Sequence, residues 1–115
     1  MNKDFVEFQK YFKHYQKLLG LTGYKVYFKY EPIESSFAGI YTNTSTMVAT
    51  VRLNSKLPDK DKPFKDIKRT ARHEAIHLLL GRLESNAKFR YASETEIDET
   101  VEELVNKLED LIKYR

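Results

Sequence analysis

Two histidines four residues apart, with a carboxylate beside the first, form the segment of this chain best suited to chemistry: His73-Glu74-Ala75-Ile76-His77. On a helix, residues i and i+4 stand one above the other on the same face, so both imidazoles can reach a single metal ion. Glu74 is displaced by about a third of a turn, which lets it avoid ligation yet stay within reach of a water on that metal. The chain has no cysteine, which excludes thiolate ligands, disulfides and a cysteine nucleophile together. Any metal must be held by nitrogen and oxygen. This is the spacing a zinc hydrolase needs, and a catalytic Zn2+ with one open position takes three protein ligands. One more His, Asp or Glu must come from elsewhere.

The third histidine, His14, sits in a distant N-terminal helix whose buried stripe is already supplied by Phe8, Phe12 and Tyr15, so the search moves to carboxylates. Projected at about 100° per residue, Glu94 and Asp98 fall on or beside the apolar stripe of the last helix, through Ile97 and Val101. Glu96, Glu99 and Glu103 project away. An inward carboxylate without a partner is costly. Glu94 is therefore the expected third ligand, with Glu99 next if the helix is rotated. Asp98 is expected to accept the other N–H of a ligand histidine.

These residues need elements to carry them. Phe5, Phe8, Phe12, Tyr15 and Leu19 recur at helical spacing over residues 4–19 and are followed by Gly20 and Gly23. From Tyr24 the period changes to two until Pro32, the pattern of a strand with one buried face. Runs at 37–42 and 47–54 flank Asn43-Thr44-Ser45-Thr46, which has the composition of a hairpin turn. A helix from about residue 64 to about residue 82 carries His73, Glu74 and His77. Leu78, Leu79 and Leu80 make it apolar nearly all round, which predicts a central, buried C-terminal half. Ser93 with Glu96 fits a capping box for a final helix running through Leu111 and Ile112. The order predicts an α+β domain: an N-terminal helix, a three-stranded and mostly antiparallel sheet, the helix with the two histidines, and a C-terminal helix.

His73-Glu74-Ala75-Ile76-His77 resembles the HExxH helix of the zincin metallopeptidases, and Glu94-Thr95-Glu96-Ile97-Asp98 resembles the ExxxD helix of the thermolysin-like gluzincins. The order of elements over roughly residues 24–105 is similar to a zincin core, most of all to the minimal single-domain zincins of small phage and bacterial proteins. The metzincin pattern fails, since Leu80 and Leu83 stand where that group has glycine and histidine. Gly81, one turn beyond His77, could let the returning segment approach. The resemblance implies a zinc-dependent metallopeptidase acting on a peptide or protein, with Zn2+ on His73, His77 and Glu94, Glu74 as general base toward a zinc-bound water, and Asp98 behind the ligands. The large C-terminal lobe of thermolysin has no counterpart. Arg90, Tyr91 and Tyr41 are candidates, by position alone, for assisting the transition state. An extended peptide could add to a sheet edge, expected at residues 47–54.

With 115 residues, 41% of them apolar, the chain supports one domain and one core. Charges at Lys3, Asp4, Glu7 and Lys10 interrupt any signal-peptide core, and no membrane span is expected, so the expectation is a cytoplasmic monomer. Residues 1–72 hold 14 Lys/Arg against 7 Asp/Glu, whereas residues 73–115 hold 6 against 10. Such a basic front half permits nucleic-acid binding without favouring it. The alternative to an enzyme is a metal-stabilised protein-interaction module. Glu74 discriminates between them, because a purely structural metal site has no use for an unligated glutamate beside its ligands.

Overall fold

A computed structural model describes residues 2–88 and 93–112. Helix α1 (Lys3–Leu18) starts at Asn2, whose side-chain oxygen accepts a hydrogen bond from the Phe5 N–H at 3.1 Å. That cap satisfies one of the amides a helix start leaves without a partner. The aromatic stripe seen in the sequence is the buried face: Phe8, Phe12 and Tyr15 are fully enclosed. Their burial contributes roughly 1.5–3 kcal/mol for a side chain of this size. Both phenylalanine rings stand edge-on to Phe28 of the sheet, at 6.4 and 5.5 Å between centroids.

Strands β1 (Lys25–Glu31), β2 (Ala38–Asn43) and β3 (Val48–Asn54) form one sheet in the order β1-β3-β2. β2 and β3 are the expected hairpin, antiparallel from Asn43↔Val48 to Ala38↔Leu53. Its turn is held by the Asn43 side chain, which accepts from the amides of Ser45 and Thr46. β1 pairs with β3 in parallel. The mostly antiparallel expectation is thus met by one pairing of two, because the chain from β1 to β2 crosses past the place β3 later fills. The same insertion makes β3 central, so the edges of the sheet are β1 and β2 and not residues 47–54. Buried Asn54 anchors that crossing, bonding Ile33 and the Ser36 carbonyl at 2.8–3.1 Å.

Helix α2 (Ile67–Lys88) lies between two apolar clusters. Ala71, Ala75 and Leu78 join the core under α1 and the sheet, while Ile76 packs with Ile97, Val101 and Val105 of helix α3 (Glu94–Ile112). A helix apolar on several sides is central here, as its composition requires. The burial is concentrated at residues 71–78 rather than in the C-terminal half. Leu79 and Leu83 are 39% and 56% exposed because, four residues apart, they share the face of α2 turned away from the one that meets β2 at Gly81. Helix α3 opens with the capping box read in the sequence: the Glu96 N–H donates to Ser93 Oγ at 3.2 Å, and Ser93 Oγ donates to the Glu96 carboxylate at 2.8 Å. The architecture is α+β, with the helices on one face of the sheet. No helix among the described residues is long and apolar enough to cross a membrane.

Candidate metal centre

His73 and His77 sit on the face of α2 that looks toward α3 and β2, their rings 4.9 Å apart between centroids. Each is about one-quarter exposed or less, on a cavity of about 620 Å³ between β2, α2 and α3. Glu102 of α3 reaches across to both rings. One of its oxygens lies 3.2 Å from His73 Nε2 and the other 3.2 Å from His77 Nε2. Ligand atoms of the three residues all fall within 4.8 Å of one another. A tetrahedral zinc with ligands at 2.0–2.1 Å separates them by about 3.3 Å. The donor set, two imidazole nitrogens and a carboxylate, fits Zn2+ in kind, and both nitrogen–oxygen separations match that spacing.

Behind His73 stands a second carboxylate. Glu109 is fully buried, with one oxygen 3.3 Å from His73 Nδ1 and the other 2.8 Å from Arg69 Nη2. These contacts lie at ion-pair distance without hydrogen-bond angles, so charge holds the group in place. His73 is thus gripped on both nitrogens. Burial would lower its pKa, but the contact with Glu109 and the charges of Glu74, Glu109 and Glu102 outweigh burial and raise it. For His77 burial and the neighbouring His73 prevail, and its pKa is lowered despite Glu102 and Glu84.

Glu74, only 6% exposed, lines the same cavity beside His73. Burial first, then the like charges of Glu102 and Glu109, push its carboxyl up to about 7 from an ordinary 4.5, against the opposing pull of His73. A second recess of about 280 Å³ adjoins His73 and Glu74 on the other side, bordered by Ser35, Ser36 and Arg69. Gly81 faces β2 rather than α3. A side chain begun there would meet Thr42 at 3.5 Å.

The residues expected in α2 are therefore together, and those expected in α3 are not. Glu94 is exposed and 3.8 Å from Lys88 Nζ; Asp98 lies 3.1 Å from the same ammonium. Glu99 is exposed. The carboxylate at the imidazoles is Glu102, eight residues beyond Glu94 or about 12 Å along a helix axis. Helix length is the physical reason. α2 continues to Lys88, six residues past the expected end near 82, and α3 returns antiparallel to it. The cross-helix contacts follow that register: Lys88 meets Glu94 and Asp98, His77 meets Glu102, and Arg69 meets Glu109. Lengthening one arm moves the point opposite His77 further along the other.

Glu102, Glu109 and Arg69 were missed, though a signal for the two acids was present. Glu94, Asp98, Glu102 and Glu109 project within about 80° of one another on α3, one acidic stripe beside the apolar one. Tyr41 is on the edge strand, 71% exposed, at the border of the cavity. Arg90 and Tyr91 lie outside the described residues. No protein-family model matches the chain, and no curated protein matches it either.

Proposed function

We propose that this protein is a zinc-dependent hydrolase, a metallopeptidase, in which His73, His77 and Glu102 hold the metal and Glu74 is the general base. The observation behind the reading is the meeting of both Nε2 atoms with one carboxylate, beside a buried glutamate on an open cavity. When bound, Zn2+ would supply Lewis acidity and bring the pKa of water down to about 7. Arg69 and Glu109 keep His73 turned so that Nε2 faces the cavity. Glu74, buried beside the ligands on the cavity, can accept a proton from water and return it to a departing amine, the role of a general acid–base. An intact Glu74 next to, but outside, the ligand set favours an enzyme over a metal-stabilised interaction module.

A peptide substrate would lie extended along β2, whose residues Gly39 to Thr42 border the cavity. An added strand there is held by main-chain hydrogen bonds. Metal analysis of the purified protein should find one zinc per chain in wild type and in Glu74→Gln, with hydrolysis of a labelled protein substrate confined to wild type. Equal hydrolysis by both, or no zinc in either, would refute the assignment.

A further inference from the structure

The helices cover one face of the sheet, and the residues of the other face form a pattern of their own, which touches the metal cavity only at Gly39 and Tyr41 of β2. Strand register sets them in rows: Lys25, Val48 and Asn43; then Tyr27, Thr50 and Tyr41; then Lys29, Arg52 and Gly39. In the middle row two tyrosines flank a threonine, and they are 49% and 71% exposed. Neighbouring strands are about 4.8 Å apart, so the two rings stand roughly 10 Å from each other as separate platforms. Cations surround them. The Lys25 ammonium is 5.4 Å from the centre of the Tyr27 ring. Arg52 crosses the strand over Gly39, where a side chain would meet its guanidinium at 3.3 Å. Lys29 stands beside it on the same row. The single acid of these rows' margin, Glu31, lies 3.6 Å from Arg52.

Exposed tyrosines present apolar ring faces from a backbone the sheet holds in register, and every nucleobase has a flat face to lay on them. Lysine and arginine on both sides match a phosphate backbone running across the strands. We infer that this face binds single-stranded nucleic acid, with one base stacked on Tyr27, another on Tyr41, and phosphates held by Lys25, Lys29 and Arg52. A duplex keeps its base faces stacked inside and offers nothing to the rings, so the site prefers single strands. The rows lie on the face of the sheet away from the helices and meet the metal cavity only along β2, where Gly39 and Tyr41 border it; the inference needs no bound metal.

The experiment is fluorescence anisotropy of the full chain with a labelled oligothymidylate of twelve nucleotides at 50 mM salt, with a duplex and with phosphatidylserine vesicles as competitors. Tyr27→Ala and Tyr41→Ala should each weaken binding by roughly 5- to 100-fold, while Tyr27→Phe and Tyr41→Phe bind as wild type and show that the ring is what counts. Lys25→Ala with Lys29→Ala should flatten the log–log salt slope by about 1.4. Thermal unfolding of each variant confirms that the sheet is intact. Absence of binding by wild type, unchanged affinity in the doubly substituted Tyr27→Ala/Tyr41→Ala protein, or tighter binding to the duplex or the vesicles would each overturn the inference.

Discussion

Replacing Glu74 by glutamine should stabilise the metal-free protein, and the gain should depend on pH. In the fold the Glu74 carboxyl is pushed up to about 7 from 4.5, chiefly because it is buried. A raised carboxyl pKa means that, between those two values, the native state binds more protons than the unfolded chain. Stability therefore falls as pH rises from 4.5 to 7 and levels off above. At about 1.4 kcal/mol for each tenfold change, the ionised side chain costs the fold about 3 kcal/mol at pH 8 and only about 1 kcal/mol at pH 5. Glutamine keeps the shape of the protonated acid and cannot ionise. Urea unfolding of chelator-treated protein should show Glu74→Gln ahead of wild type by about 3 kcal/mol at pH 8, roughly 10 °C in Tm for a chain of this size. At pH 5 most of the difference should vanish. The imidazoles titrate in both proteins, so their own contribution largely cancels. Saturating zinc should shrink the difference at pH 8, since a nearby dication stabilises the carboxylate. A glutamine variant equally stable or weaker at pH 8, or a gain that ignores pH, would refute the burial argument.

Glu102→Ala should lower zinc affinity by more than about a hundredfold, beyond what losing a residue behind the ligands costs, whereas Glu94→Ala should leave it unchanged; competition with a chromogenic chelator measures both. Glu109→Gln should weaken zinc binding by about 10- to 100-fold through loss of the charge that orients His73, read by the same titration. Gly81→Ala should stabilise the protein by about 0.5–1 kcal/mol, because a methyl group there meets Thr42 at ordinary contact distance and glycine is a poor helix residue. Gly81→Leu should instead push α2 from β2 and destabilise; thermal unfolding separates the two.

Much of the fold was legible because the pattern of apolar residues reports the local element directly. The Phe8, Phe12 and Tyr15 stripe, the Asn43 turn and the Ser93–Glu96 cap each stand where the sequence puts them. Each is decided by residues close in the chain. The order of strands is not. Nothing in the alternation of residues 47–54 says which neighbours the strand has, and only the parallel pairing of Lys25 with Val48 makes it central. Its buried side chains, Ala49, Val51 and Leu53, read the same at an edge over a core as they do in the middle of a sheet.

The site divides along the same line. His73, Glu74 and His77 share one helix, so their relation follows from 3.6 residues per turn, and the structure keeps it. Their acid comes from another helix, and two quantities must be known: which face it presents and how far along it the contact falls. The face was readable, since Glu94, Asp98, Glu102 and Glu109 lie on one stripe. The distance along it depends on where α2 ends, which the sequence reading puts near 82. The helix instead continues to Lys88, with the Glu84–Lys88 pair at 3.0 Å spanning its last turn. A helical i,i+4 ion pair of that kind, here partly exposed, contributes only about 0.3–0.5 kcal/mol, yet the helical turn it spans sets which carboxylate stands opposite the imidazoles. In an antiparallel helix pair, the identity of the residue completing a site is thus governed by the weakly determined end of one helix and not by the strongly patterned middle of either.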